Sequence, residues 1–282
     1  MDNKHYLSKL HKDILTIMDE IDRICKAYNI KYYLVGGTLL GAIRHHGFIP
    51  WDDDLDIAMP RDDMEKFLSV AKSELSSQFY IEWISTNEKY WQFFPKVCLK
   101  NTTFEERYVK KAKPTGIFVD IFPLDYSPAC CSYTEKKRSI IKKLIGYLQR
   151  RVAGGFTIKY FYDPLLRHLL SPKYVFKVMD KITKSVAKHG QTHFANFGSQ
   201  YRLSKQTMPI EWYGNGVTVD FEGHSYKAPA EYIKVLTSVF GDNFMQIPPS
   251  NKRRCHYPSS VKFSDGEVLT FEKPSEIVEV EV

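Results

Sequence analysis

The sequence predicts an α+β protein in which helices flank a small mixed sheet, with a helical insertion in the second half of the chain. Residues 3–29 carry apolar side chains every three or four positions, which is the period of an amphipathic helix. Short apolar stretches bounded by glycine or proline then follow, a pattern typical of strands. Beyond residue 133 the helical period returns and continues to about residue 189.

The individual elements follow from the same patterns. The first half of the chain predicts helices at 3–29, 38–43 and 61–75, and strands at 31–35, 55–59, 79–84, 91–99 and 116–122. The second half predicts helices at 134–152, 161–170, 173–189 and 230–240. No internal repeat is visible, and the length suits one large domain or two modest ones, with the helical part as an insertion or subdomain.

Composition and charge narrow the class of protein. The 282 residues are 43% hydrophobic and 26% charged, which excludes a disordered chain. Forty basic minus 33 acidic residues give a net charge of +7, which suits anionic substrates, an anionic membrane surface or weak nucleic-acid binding. The sequence shows no C-x-x-C pair, signal peptide or apolar membrane span. We therefore expect a cytoplasmic protein with at most peripheral membrane contact.

A glycine pair lies between the first predicted strand and a short predicted helix. Glycine lets the backbone approach a phosphate closely, and a helix N-terminus directs free N–H groups at it. We therefore expect Gly36, Gly37 and Thr38 to contact phosphate oxygens, with Thr38 as the helix cap.

An acidic run leads into the second predicted strand. Side chains two apart on a strand point to the same face, so the carboxylates of Asp54 and Asp56 are expected to converge. Converging carboxylates suit Mg²⁺, for which Mn²⁺ can substitute. Asp52, at the edge of the loop, is a weaker candidate ligand, and Asp53 is expected to face away. A calcium loop is excluded because Ile57 stands where that loop requires glycine.

Basic side chains near this block are candidates for binding phosphate. They are Arg44, His45, Lys96, Arg253, Arg254 and His256. For the last three a solvated surface explains the sequence equally well. Trp51, Tyr90 and Trp91 have the chemistry to stack on a base or surround a quaternary ammonium group. Core packing is the alternative for each of these rings.

The block from Gly36 to Asp56 closely resembles the LicD family, whose members are similar to phosphocholine transferases of bacterial surface glycans and to fukutin-related ribitol-phosphate transferases. That family has the nucleotidyltransferase fold, marked by Gly-Gly-Ser/Thr and a following Asp-x-Asp pair. The resemblance continues at residues 118–125 and 240–249. It implies a third carboxylate on a neighbouring strand, and Asp120 is the best match, as a metal ligand or as the general base.

The resemblance also implies a division of the chain. Residues 1–130 would form a nucleotidyltransferase-like catalytic core with an N-terminal helix, and residues 131–200 a helical insertion. Residues 201–282 would be a C-terminal segment that completes the active-site cleft.

The function implied by the resemblance is Mg²⁺-dependent phosphotransfer, with Asp54, Asp56 and Asp120 as catalytic residues. The enzyme would move phosphocholine, or a related alcohol phosphate, from a CDP-activated donor to a hydroxyl of a cell-surface glycan precursor and release CMP. CDP-choline is the favoured donor. The acceptor would be a glycan or lipid-linked glycan of the teichoic-acid or lipopolysaccharide type, met at the inner face of the membrane.

Two other functions remain open from the sequence. One is a nucleotidyltransferase that moves a nucleoside monophosphate onto a sugar, small molecule or protein. The other, less favoured, is a non-enzymatic basic module that binds glycan or nucleic acid. No aromatic-basic RNA motif is present in the sequence, so we expect no nucleic-acid partner.

Overall fold

The computed structural model describes residues 3–107, 115–153, 170–250, 253, 255, 256 and 258–272. The predicted α+β class is confirmed. The described residues form seven helices: α1 (Asn3–Tyr28), α2 (Gly36–His45), α3 (Arg61–Glu74), α4 (Ser132–Ala153), α5 (Pro172–Ala187), α6 (Ile210–Tyr213) and α7 (Tyr232–Phe240). Within this part of the chain no helix combines the length and apolar character needed to cross a membrane.

The strands form one main sheet and two small ones. The first six are β1 (Tyr33–Leu34), β2 (Asp56–Pro60), β3 (Phe79–Glu82), β4 (Lys96–Leu99), β5 (Thr103–Glu106) and β6 (Phe118–Ser127). The others are β7 (His193–Ala195), β8 (Thr207–Pro209), β9 (Val217–Phe221), β10 (His224–Ala228), β11 (Pro258–Lys262) and β12 (Val268–Thr270). The main sheet has the order β1-β2-β6-β4-β3, and β7 pairs with the far end of β6 and with β8.

Strand direction sets the position of the site described below. β2 and β6 run parallel, and every other pair of the main sheet is antiparallel. The small sheets are the hairpin β9-β10 and the group β12-β11-β5, which joins the C-terminal segment to the first half of the chain.

Two hydrophobic clusters hold these elements together. The larger one packs α1 against the main sheet, and the α1 side chains Leu10, Ile17 and Ile21 are fully buried. The smaller one joins α4 and α5 to residues near Phe93. Burial of each large apolar side chain contributes about 1.5–3 kcal/mol, so α1 is a structural support for the sheet that carries the site.

The helices match their predictions within a few residues, and so do the strands predicted at 31–35, 55–59 and 79–84. The strands predicted at 91–99 and 116–122 differ more from the structure. The predicted strand at 91–99 contains only β4, because residues 91–95 are irregular. β6 continues to Ser127, beyond Phe122 where the prediction ended it, because β2 pairs with it up to Leu124 and β7 from Asp125 onward. The sequence did not predict β5 or β7 to β12, and residues 161–169 of the helix predicted at 161–170 lie outside the described residues.

Candidate active site

The centre of the site is a pair of carboxylates on neighbouring strands. Asp56 on β2 lies directly opposite Asp120 on β6 in the parallel register. Residues opposite each other in adjacent strands project their side chains from the same face of the sheet. The third carboxylate implied by the family resemblance therefore lies beside Asp56.

A lysine occupies the next strand across. Lys96 on β4 is opposite Asp120, and its Nζ donates a hydrogen bond of 2.7 Å to Oδ1 of that carboxylate. Only 1% of Lys96 and 5% of Asp120 are exposed to solvent. The ammonium group also lies 3.3 Å from the centroid of the Phe118 ring. Burial raises the pKa of Asp120 above its ordinary value, and the positive charge of Lys96 opposes that shift. Phosphate binding by Lys96 stays a prediction, because its ammonium group is already engaged with Asp120.

The N-terminus of α2 lies against the acidic residues. Gly36 has a φ of +57°, and the preceding Val35 makes no side-chain capping bond to the helix. A Cβ atom on Gly37 would come within 2.7 Å of Oδ2 of Asp52, and one on Gly36 within 3.5 Å of Oδ2 of Asp56. The glycines therefore make room for carboxylates at the helix end as well as leaving its first N–H groups open.

Thr38 has a different role from the one predicted. The helix begins two residues earlier, so Thr38 is not the cap. Its hydroxyl instead accepts a hydrogen bond of 2.8 Å from the backbone N–H of Asp56. This bond ties the first turn of α2 to the start of β2 and holds the glycine pair beside Asp56.

The carboxylates of Asp52, in the acidic loop, and of Asp56 are buried close to other acidic side chains, which disfavours their charged forms. Burial and the charges of Asp54 and Asp53 raise the pKa of Asp52 well above its ordinary value. Burial, followed by the charges of Asp54 and Asp120, does the same to the pKa of Asp56. Within the described part of the chain, Oδ1 of Asp56 is buried and has no hydrogen-bond partner. A buried, unpaired carboxylate oxygen among like charges is the environment that a bound cation relieves.

His256 comes to this loop from the C-terminal segment. Its backbone N–H donates to both carboxylate oxygens of Asp53, at 2.8 and 3.1 Å, and its Nδ1 lies 3.1 Å from Oδ1 of the same residue. Nδ1 is also 3.8 Å from Oδ2 of Asp54. Burial opposes the imidazolium, but the bond to Asp53 and the charges of Asp54 and Asp53 raise the pKa of His256 well above its ordinary value. The expectation that Asp53 faces away from the other acids is therefore wrong.

Three potential metal ligands lie close together where His256 meets the acidic loop. One ligand atom each from Asp53, Asp54 and His256 lie within 4.8 Å of one another, a grouping that could hold a metal ion. Asp56 contributes its unpaired buried oxygen to the same acidic region. Oxygen-rich ligand sets suit Mg²⁺ or Mn²⁺, so the residues present fit the cation that the sequence suggested.

The remaining basic candidates form a second group around Trp51. Arg44 donates through Nη1 to the backbone carbonyls of Phe244 and Gln246, at 3.0 and 3.2 Å, and through Nε to His45. The guanidinium group of Arg253 lies 4.4 Å from the centroid of the Trp51 ring. Burial lowers the pKa of His45, and the charge of Arg44 adds to that shift. Arg254 lies outside the described residues.

The predicted basic cluster near the C-terminus is thus divided in the structure. Arg253 covers Trp51, whereas His256 contacts the acidic loop. Among the described residues, Asp53 joins the acidic group although the sequence predicted that it would face away. Alternation along a strand gave it the wrong direction, because residues 52–55 are irregular and the strand begins at Asp56.

Comparison with known proteins agrees with this geometry. The family model described as LicD/FKTN/FKRP, nucleotidyltransferase domain, matches residues 29–162, which contain Gly36, Asp56 and Asp120. The chain is 30% identical over 260 residues to the lipopolysaccharide cholinephosphotransferase LicD of Haemophilus influenzae, covering 86% of this chain and 92% of that protein. It is 28% identical over 105 residues to human ribitol 5-phosphate transferase FKRP, covering 30% of this chain and 21% of that protein.

The site combines a carboxylate cluster with an uncapped helix N-terminus, an arrangement that suits phosphoryl transfer. Because the relatives are phosphotransferases as well, the protein is an enzyme of the phosphotransferase class. The similarity to the Haemophilus protein extends over nearly the whole of both chains. The chain belongs to the LicD family.

Proposed function

We propose that the protein transfers phosphocholine from CDP-choline to a hydroxyl of a cell-surface glycan precursor and releases CMP. The observation that carries the proposal is the register that sets Asp56 beside Asp120, next to the open amide end of α2. The choice of choline and of a glycan acceptor is supported by the similarity to a lipopolysaccharide cholinephosphotransferase. Lipid-linked acceptors would bring the enzyme to the inner face of the membrane.

The reaction exchanges one phosphorus–oxygen bond for another. The acceptor hydroxyl oxygen bonds to the phosphorus that carries choline, and the bond from that phosphorus to CMP breaks. Asp120, held through one oxygen by Lys96, serves either as a ligand or as the base that accepts the hydroxyl proton. The N–H groups of Gly36, Gly37 and Thr38 would bind the diphosphate oxygens at the helix N-terminus.

A divalent cation fits the acidic group, with Asp54 and Asp56 as its principal ligands and Asp52 as a weaker one. When bound, Mg²⁺ or Mn²⁺ offsets the charge that develops on the diphosphate during phosphoryl transfer. Asp53 accepts hydrogen bonds from the backbone N–H of His256 and so fixes the C-terminal segment against the acidic loop, next to these ligands. His256 contributes either a ligand nitrogen or a positive charge near the phosphates.

The test uses the full chain with Mg²⁺ and a panel of CDP-alcohols: CDP-choline, CDP-ethanolamine, CDP-ribitol and CDP-glycerol. Thermal unfolding measures donor binding without an acceptor, and chromatography measures CMP once membrane glycolipids are added. CDP-choline is expected to raise the melting temperature in the presence of Mg²⁺ but not of EDTA, since a ligand at 100 times its Kd stabilises the fold by about 2.7 kcal/mol.

Two outcomes would contradict the proposal. A response only to CDP-ribitol or CDP-glycerol would retain the reaction class but reject choline as the transferred group. Pyrophosphate release from a nucleoside triphosphate, with no response to any CDP-alcohol, would indicate nucleotidyl transfer instead.

A further inference from the structure

We propose that Tyr201 and Phe240 form an aromatic wall that holds the positively charged head group of the donor beside the carboxylates. The inference rests on the proposed function and names the part of the site that selects choline. The two rings meet edge to face, with their centroids 6.2 Å apart and their planes at 83°. Tyr201 is 44% exposed, so its ring is open to a ligand.

The path of the chain brings Tyr201 back toward the carboxylates. β7 runs antiparallel to β6, with Ala195 opposite Asp125. The residues that follow β7 therefore head toward the end of β6 where Asp120 lies. Phe240 ends α7, which packs against α2, the helix whose N-terminus carries the glycine pair. The two rings thus come from different elements, the segment after β7 and the end of a helix that packs against α2.

The loop that carries Tyr201 is fixed from the helical insertion. Arg138 on α4 donates through Nη2 to the backbone carbonyls of Ser199, at 3.0 Å, and of Tyr201. Lys142, one turn further along α4, reaches the carbonyls of Gly198 and Ser199, each at 3.4 Å. A ring presented by a loop held in this way is pre-organised for binding.

The electrostatic surroundings of Tyr201 agree with this placement. Burial raises the pKa of its hydroxyl, and the negative charges of Asp56, Asp52 and Asp54 raise it further. The hydroxyl therefore lies in the field of the acidic cluster. The face of an aromatic ring attracts positive charge, and nearby carboxylates add to that attraction. Such a surface favours a quaternary ammonium group, which has no hydrogen-bond donor, over a neutral polyol.

The other aromatic candidates near the site are already covered. Trp51 is 6% exposed and lies under the Arg253 guanidinium group. Tyr90 is buried, and its hydroxyl donates to the carbonyl of Phe94. Trp91 is half-buried and packs against the smaller hydrophobic cluster. Tyr201 therefore takes the place that the sequence suggested for these three rings.

The experiment compares CDP-choline with its uncharged carbon isostere, CDP-3,3-dimethylbutanol, in CMP release by the full chain. The isostere keeps the shape of choline and removes the charge, so the ratio of the two kcat/KM values measures recognition of the cation. We expect the wild type to favour CDP-choline by roughly 3- to 30-fold through this contact. Tyr201→Ala and Tyr201→Leu should bring the ratio close to one, and Tyr201→Phe should retain it.

The matched control is Tyr174→Ala, which removes an exposed tyrosine on α5 and should leave the ratio unchanged. Far-ultraviolet circular dichroism confirms that each variant is folded. If the Tyr201→Leu ratio equals that of the wild type, the aromatic wall is rejected while the proposed function stands. If the wild type releases CMP from no CDP-alcohol, the proposed function and this inference fail together.

Discussion

Replacing Lys96 by methionine removes the positive charge from a buried ion pair and keeps most of the side-chain volume. The side chains of Lys96 and Asp120 are 2% and 7% exposed, so solvent cannot replace the lost partner. Removing one member of a buried pair typically costs about 3–5 kcal/mol of unfolding free energy. Two effects reinforce the loss here, because burial already raises the pKa of Asp120 and the charge of Asp54 repels it.

The assay is urea unfolding at pH 7 of Lys96→Met, Asp120→Asn and the double variant, with and without Mg²⁺. The double variant should recover much of the lost stability, because it no longer contains an unpaired buried charge. Lys173→Met is the control, since its pair with Glu88 is exposed and screened by solvent and should contribute little to stability. Mg²⁺ should stabilise Lys96→Met more than the wild type, because a cation near Asp120 takes over part of the role of Lys96.

Either of two results would contradict a stabilising pair between Lys96 and Asp120. One is a Lys96→Met midpoint within the range of the Lys173→Met control. The other is a double variant whose loss equals the sum of the two single losses, since independent effects would mean that the pair is not coupled.

Three further predictions concern single substitutions. Asp56→Asn should raise the melting temperature of the metal-free protein, because it removes a buried like charge, while CMP release falls by about a hundredfold or more; a lower melting temperature contradicts this. Gly37→Ala should weaken Mg²⁺ binding measured by calorimetry, because the added Cβ displaces Asp52, and an unchanged Kd would show that Asp52 is dispensable. The Arg23 bond lowers the pKa of Glu20 to about 2, so this stabilisation is present above pH 4.5 and lost as the pH falls toward 2. In urea titrations at pH 6 and pH 3, Glu20→Gln should therefore cost about 1 kcal/mol at pH 6 and clearly less at pH 3, and an equal loss at both pH values would refute it.

The sequence predicted the part of the site that depends on local rules. Alternation along the strand that begins at Asp56 predicted the direction of that side chain. Asp120 was expected nearby because the family resemblance implies a third carboxylate on a neighbouring strand, and the two residues lie opposite each other in the register. The direction of Asp53 could not be predicted in this way, because the acidic loop is irregular. Its partner His256 arrives from 203 positions further along the chain, a contact set by the pairing of β11 with β5 and by no local pattern.

The fold shows the same division between local and long-range information. The apolar period of α1 extends over seven turns and marks the helix clearly. β7, β8 and β12 are three residues long, too short for a period of two to stand out. β7 forms by pairing with β6, β8 by pairing with β7, and β12 by pairing with β11. A strand of three residues has no sequence pattern from which its partner could be predicted.

The central claim is that carboxylates from β2 and β6 share one divalent cation. The most direct measurement is Mn²⁺ binding followed by electron paramagnetic resonance in the wild type, Asp56→Asn, Asp120→Asn and the control Asp62→Asn, whose side chain is on the exposed first turn of α3. We predict that the Kd rises about tenfold or more in each of the first two variants and stays at the wild-type value in the control. Equal affinity in all four proteins would show that the two strands hold no common metal.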